Sequence, residues 1–212
     1  MKELVKYSRL LHKKGLISAT DGNLSGRLPS GGFVVTPSGI PKREITEKML
    51  VKMDRAGKAV SGKASSEWQL HKAIYASRKD VGAVVHAHPP YAVALSLLGR
   101  SLEDCPLSEV RISLGAVKLV PYEEPGSAAL AENAARALGK EGKAVILANH
   151  GAVAVGRDIR SAYYRMEALE HAAKIYYHAL TLGRPKPFSA AVRKRLDEIA
   201  KIYNSGRSLK KR

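Results

Sequence analysis

The chain has a single cysteine, Cys105, among its 212 residues. A lone thiol cannot close an intrachain disulfide, and it cannot supply the pair of thiolates that a cysteine-rich zinc module needs. This fits a reducing compartment. Long apolar runs are also missing. Nothing approaches the roughly 18 to 20 residues that cross a bilayer, and the opening stretch MKELVKYSRLLHKKG carries charges where a secretory signal has an uncharged centre. The expectation is a cytoplasmic protein with no membrane attachment. Aromatics are scarce at 6%, and 19 acidic side chains face 36 Lys and Arg, a net charge of +17. A field of that sign attracts nucleic acid, anionic membranes or phosphorylated metabolites without choosing among them. No zinc finger, aromatic ribonucleoprotein box or GXXG loop accompanies the charge, so nucleic acid is not the expected partner. Many of the bases sit in short groups that read as solvated helix faces: Lys13 with Lys14, Arg78 with Lys79, and Arg193 to Arg195.

What is present is a hydrophobic fraction of 45%, enough to bury one substantial core. Leu4, Ser8 and Leu11, flanked by Val5 and His12, predict a first helix of about 13 residues stopping before Gly15. Between Thr20 and Ser38 the turn signals around GFVVT predict a small hairpin. Ser65 and Ser66 predict the cap of a helix running to about Ser77. Its expected faces are Leu70, Ala73, Ile74 and Ser77 on one side, and Trp68, His71 and Tyr75 on another. VGAVVHAH, stopped by Pro89 and Pro90, predicts a buried strand, followed by a helix from Tyr91 to Leu98 and a strand from Gly115 to Val120. Ser127 and Gly139 bracket a helix, and residues 143–156 read as two apolar strands around Asn149, His150 and Gly151. Asp158 caps a long helix reaching Leu182, and Ser189 a last one to about Tyr203. No repeat or linker interrupts this series, which predicts one α/β domain over residues 1–205 with a basic tail over 206–212.

His86 and His88 stand two apart on a predicted strand, so their imidazoles share a face with Cα atoms roughly 6 to 7 Å apart. That spacing suits a shared metal ion. His150 occupies a turn between two apolar strands, where a histidine adds nothing to packing and Gly151 frees the backbone to aim it. Three histidines would leave one coordination position open, as catalytic zinc sites do. Glu67, expected in the first turn of its helix, is the fourth candidate; taken singly it is also an ordinary dipole-capping acid. His12, His71, His171 and His178 fall inside predicted helices and read as packed or solvated side chains. Three clusters offer backbone N–H groups and hydroxyls for a phosphate: Gly22 with Asn23, Ser38 with Gly39, and Ser65 with Ser66. Each alone is common turn chemistry.

Taken in order, DGNLSGR, TPSGIP, ASSEW, AVVHAHPP and NHGAVAVG resemble the class II, zinc-dependent sugar-phosphate aldolase family of the fuculose-phosphate aldolase type. That superfamily also holds ribulose-phosphate 4-epimerases and methylthioribulose-phosphate dehydratases. The resemblance implies a three-layer α/β/α sandwich around a mixed, largely antiparallel sheet, in a homotetramer with sites near the subunit contacts. It implies one Zn²⁺ per subunit on His86, His88 and His150, with Glu67 as acid/base and as occupant of the open zinc position at rest. Gly22, Asn23, Ser38, Gly39, Ser65 and Ser66 match the positions that bind phosphate and substrate. The implied reaction is reversible cleavage of a ketose 1-phosphate, of the fuculose 1-phosphate kind, into dihydroxyacetone phosphate and an aldehyde through an enediolate.

The resemblance is incomplete at the aldehyde end. Aldolase members commonly place a tyrosine after the HxH strand, and this chain has none between Ser101 and Lys118; Glu109 and Arg111 lie there without an assigned role. Tyr203 resembles a tail tyrosine able to close over the site. Epimerases generally carry aspartate where Glu67 stands, which favours aldol chemistry. A methylthioribulose-1-phosphate dehydratase would keep the same four residues and remains the alternative. A non-catalytic basic binding module would have no use for an open metal site.

Overall fold

The computed structural model describes residues 1–204; the basic stretch from Gly206 to Arg212 lies outside them. Among the described residues seven short strands form one sheet: β1 (Asn23–Arg27), β2 (Phe33–Val35), β3 (Val51–Met53), β4 (Ala83–Ala87), β5 (Lys118–Val120), β6 (Ala144–Leu147) and β7 (Gly151–Gly156). Their order is β3-β2-β1-β4-β7-β6-β5. Every neighbouring pair is antiparallel except β5 and β6, which are parallel. The sheet is thus mixed and largely antiparallel, as the motifs imply.

Side chains alternate across a strand, so each strand feeds two cores. Leu24, Val85, Ala87, Ile146 and Ala154 join the first, which is covered by α1 (Lys2–Lys13), α3 (Pro90–Leu97) and α6 (Ile159–Leu182). Val35, Val84, Val145, Val153 and Val155 join the second, covered by α2 (Trp68–Ser77) and α5 (Ala128–Leu138). The result is the three-layer α/β/α sandwich. Two further helices, α4 (Ser108–Ser113) and α7 (Ala190–Asn204), pack against each other, and α4 also touches α6. Among the described residues no helix is long and apolar enough to cross a membrane.

The best-marked helices have the ends their caps dictate. Asp158 Oδ1 accepts from the Ser161 N–H at 2.7 Å while the Asp158 N–H donates to Ser161 Oγ at 3.2 Å, a reciprocal capping box, and Gly183 follows the last residue of α6. In α5, Ser127 Oγ accepts from the Leu130 N–H at 3.1 Å.

Three local expectations need correction. Glu67 is the N-cap residue of α2, with φ −96° and ψ 19°, not a member of its first turn. Its N–H points to Ser65 Oγ at 3.4 Å, so the two serines precede the cap. The buried face of α2 is Leu70, His71, Ile74 and Tyr75, one residue pair from each expected stripe, because the helix packs against α5 while His71 and Tyr75 reach β1; Ser77 is exposed. Arg78 is buried instead of solvated. Its guanidinium grips Asp80 at 2.7 and 2.8 Å and donates to the carbonyls of Gly139 and Gly142 beyond the end of α5, a fork of donors that a lysine cannot match.

Candidate metal centre and active site

The pairing of β1 with β4 sets Asn23 opposite His86, which puts both side chains on the α2 side of the sheet at one end of the strands. His88 follows just past β4, its N–H held by the Leu16 carbonyl at 3.0 Å, and the two prolines after it end the ladder. His150 comes from the tight turn between β6 and β7, where Asn149 takes the left-handed conformation at φ 56°. Gly151 is required beside it. A Cβ there would stand 2.5 Å from the Ala87 carbonyl oxygen, 2.9 Å from His88 Cδ2 and 3.1 Å from His86 Cε1. Gly22 is equally constrained, at φ 67° with 2.8 Å between an added Cβ and the His86 carbonyl oxygen.

The three imidazoles form a triangle with ring centroids 4.9 to 5.0 Å apart. Glu67 closes it from the start of α2. Its Oε2 lies 2.9 Å from His86 Nε2 and accepts from Asn23 Nδ2 at 3.0 Å; its Oε1 lies 3.4 Å from His150 Nε2. One ligand atom from each of Glu67, His86, His88 and His150 falls within 4.8 Å of all the others.

The residues fit a divalent cation. His86 Nδ1 lies 3.0 Å from the Ala152 carbonyl, the outer contact that turns Nε2 toward the cluster. His86 Nε2 and His88 Nε2 face each other at 3.2 Å, two nitrogens converging on one point. Glu67 Oε1 and His150 Nδ1 are buried without a hydrogen-bond partner among the described residues. Three imidazole nitrogens and a carboxylate match zinc and neighbouring transition metals better than calcium or magnesium, which favour all-oxygen sites.

Charge states follow from burial and neighbours. Burial raises the pKa of Glu67, but the His86 imidazole beside it, the His150 ring and the hydrogen bonds from His86 and Asn23 outweigh it and hold the carboxylate ionised. Burial, then the neighbouring His86 and His150, lowers His88 to about 4; burial also lowers His150. Both rings are therefore neutral at neutral pH, with lone pairs free to ligate. His86 goes the other way: burial opposes its protonation, and contact with Glu67 more than offsets that.

The three small-residue clusters are neighbours. Pro37 and Ala64 form an antiparallel bridge, the Ser38 N–H donates to the Lys63 carbonyl at 3.1 Å, and the Ser65 N–H to the Thr36 carbonyl at 3.3 Å. Thr36 in turn exchanges two bonds with Leu24: its Oγ1 accepts at 3.2 Å and its N–H donates at 3.0 Å. Gly22 and Asn23 thus share one framework with Ser38, Gly39, Ser65 and Ser66. Gly39 and Ser66 are exposed, Ser38 is half-buried, and Asn23 and Ser65 are buried. Sequence reasoning missed Lys42, which is 1% exposed and donates to the carbonyls of Thr20 at 2.7 Å and Ile40 at 3.3 Å, tying the first loop to the second. Burial lowers its pKa to about 8.

His71 was missed as well. It is fully buried directly behind Asn23, with Ser25 and Tyr75 beyond it. The signal was available in two spacings: Asn23 and Ser25 alternate onto one strand face, and His71 sits one turn after Glu67. Tyr203, by contrast, is 68% exposed in the last turn of α7, and among the described residues no hydrogen bond or ring contact joins it to the cluster. Arg111 is bound to Asp197 at 2.6 and 2.9 Å, joining α4 to α7.

Comparison with known proteins agrees with this geometry. The model of the class II aldolase and adducin N-terminal domain matches residues 2–177. The chain is 37% identical over 180 residues to a 3-oxo-tetronate 4-phosphate decarboxylase of Pectobacterium atrosepticum, covering 82% of each. It is 33% identical over 208 residues to a 5-methylthioribulose-1-phosphate/5-deoxyribulose-1-phosphate aldolase of Rhodospirillum rubrum, covering 97% of this chain and 93% of that one. A solved L-fuculose 1-phosphate aldolase superposes with a TM-score of 0.85 at 36% identity, over 94% of this chain and 95% of that one. With fold, cluster and motif order in agreement, the chain belongs to the class II aldolase and adducin N-terminal domain family and is an enzyme of the class II aldolase type.

Proposed function

We propose that this chain reversibly cleaves a ketose 1-phosphate between C3 and C4, giving dihydroxyacetone phosphate and an aldehyde, with His86, His88 and His150 as zinc ligands and Glu67 as proton carrier. The observation that carries the reading is the meeting of one ionised carboxylate with three imidazoles and an amide donor at the end of β4. When bound, a divalent cation supplies Lewis-acid stabilisation of negative charge developing on substrate oxygens. Breaking the C3–C4 bond leaves an electron pair on the three-carbon fragment. As that bond breaks, the C4 hydroxyl gives up its proton and becomes the aldehyde carbonyl. Glu67, ionised at rest, is charged by the proton released there and delivers it to C3; in synthesis it removes the C3 proton and the aldehyde oxygen regains one. Asn23 Nδ2 donates toward the same region. The substrate phosphate, with about −1.5 to −2 charges, is received by Gly22, Ser38, Gly39, Ser65 and Ser66 in a strongly positive overall field.

The names of two relatives support a ketose 1-phosphate substrate, and that of a third suggests decarboxylation of a related sugar acid phosphate. We also read the working unit as a cytoplasmic homotetramer with its sites near subunit contacts. The exposed Leu97, Leu98, Tyr122 and Tyr164 offer apolar surface for such contacts.

Deuterium exchange into dihydroxyacetone phosphate tests Glu67 directly. Wild-type protein exchanges the α-proton, and Glu67→Gln slows exchange by about 10²- to 10⁴-fold while still binding zinc. Unchanged exchange removes Glu67 from the mechanism. Product analysis on fuculose 1-phosphate and methylthioribulose 1-phosphate then separates the reactions. Dihydroxyacetone phosphate supports the aldolase, a diketone the dehydratase, and CO₂ released from a 3-oxo-tetronate 4-phosphate the decarboxylase.

A further inference from the structure

We propose that His71, backed by Ser25 and Tyr75, is a positioning residue: it holds the Asn23 amide with its oxygen inward and its NH₂ toward the metal centre. The two ends of an asparagine amide have nearly the same shape and opposite hydrogen-bonding character. Which end faces the centre decides whether Asn23 donates to a developing negative charge or repels it. Glu67 enforces the correct orientation only while its carboxylate accepts from Nδ2 at 3.0 Å. Once Glu67 takes up a proton or turns to substrate, that restraint weakens. His71 supplies a second one from the opposite side, by a close contact between its Nε2 and Asn23 Oδ1.

With the Glu67 carboxylate accepting from Asn23 Nδ2, the direction of every other bond in the chain follows. Asn23 Oδ1 can only accept, so His71 Nε2 carries the hydrogen. His71 is fully buried, and burial, with His86 nearby, keeps its ring neutral, so Nδ1 must accept. Ser25 Oγ, 2.6 Å from Nδ1, therefore donates its single hydrogen there. Tyr75 OH, 2.8 Å from the same Oγ, must then donate to Ser25. Burial raises the phenol's pKa, which keeps that hydrogen in place. Tyr75 is itself fixed by Phe33, at 5.4 Å between ring centroids, and by the Arg27 guanidinium 4.6 Å above its ring. Donors thus run in one direction from Tyr75 through Ser25, His71 and Asn23 to Glu67.

A packing role alone does not account for this arrangement. Burying a serine, a histidine and an asparagine costs free energy that an apolar set would not. On the other face of the same strands, Leu24 and Val85 fill the corresponding layer with aliphatic groups. The polar seam leads to the metal centre, and its last member faces the proton carrier.

This role in turnover rests on the aldolase reading, so the experiment has two independent arms. The first uses the full-length protein loaded with Zn²⁺ alone and reads ¹⁵N NMR of the side chains. Wild type should show His71 protonated at Nε2, with the Asn23 NH₂ protons slow to exchange. Ser25→Ala removes the donor to Nδ1 and should shift the tautomer; His71→Leu should speed Asn23 NH₂ exchange. Unaltered Asn23 signals in both variants would overturn the proposal whatever the reaction proves to be. The second arm reads turnover of dihydroxyacetone phosphate exchange. His71→Leu should lower kcat by about 10- to 100-fold with KM and zinc content little changed, as a mispositioned group does. His71→Gln, whose amide can still donate to Asn23, should recover most of the loss. In an Asn23→Ala background, His71→Leu should cause no further loss; additive losses would show that His71 acts without Asn23 and would end the proposal. Should His71→Leu fail to fold, Ser25→Ala carries both arms. A wild type that exchanges no substrate would defeat the aldolase reading and leave the NMR arm to decide the orientation of Asn23.

Discussion

The two faces of the sheet are built from the same strands and teach different things. Toward α1, α3 and α6, every inward side chain of β4 is apolar: Ala83, Val85 and Ala87, meeting Leu95, Met166 and Leu169. Toward α2 and α5, the same strand presents Val84 and then His86, which joins Asn23, His71 and Glu67. Residues adjacent in sequence therefore serve opposite purposes. One face supplies cohesion, and the end of the other holds polar groups whose burial is justified only by chemistry.

Substitutions on each face should separate these purposes. The largest effect is expected from His88→Ala, which should lose zinc and activity together while circular dichroism stays that of the folded chain; a metal-free, fully active variant would end the metal reading. On the apolar face, Leu169→Ala should cost about 2 to 5 kcal/mol in denaturant unfolding, with zinc still bound. A loss of zinc without a loss of stability would break the division between faces. Asp158→Ala, remote from both, removes the capping box of α6 and should cost about 1 kcal/mol. Smallest is the pair Arg111 and Asp197. The hydrogen bonds from Arg111 hold the Asp197 carboxyl below its usual range, so its stabilisation is present above the unfolded carboxylate pKa and fades as pH falls through the folded one. Because Asp197 is 45% exposed, comparing wild type with Arg111→Ala in acid titrations should reveal a difference of at most about 1 kcal/mol.

Sequence legibility follows the range of the interactions. The ends of α5 and α6 were readable because Ser127 and Asp158 act on residues three positions away. β3, at three residues, and α4, at six with no side-chain cap, are too short to show a period, and tertiary contacts hold them. The four cluster residues were readable because an HxH pair, a turn histidine and a capping acid are unusual in those places. The seam behind Asn23 was not, since it depends on the β1–β4 register and on α2 burying two stripes, and neither is encoded locally. Arg78 escaped for the same reason: its carbonyl partners lie over 60 positions away.

The gathering of Glu67, His86, His88 and His150 from a helix cap, a strand end and a hairpin turn has a consequence for the protein's lifetime. An ion gripped only by the assembled arrangement draws the folding equilibrium toward that arrangement by mass action, by about 2.7 kcal/mol when its free concentration is a hundredfold above Kd. Scarcity of the ion would then thin out the folded population, exposing chains to proteases as well as silencing them. A melting temperature indifferent to added chelator would show that no such linkage exists.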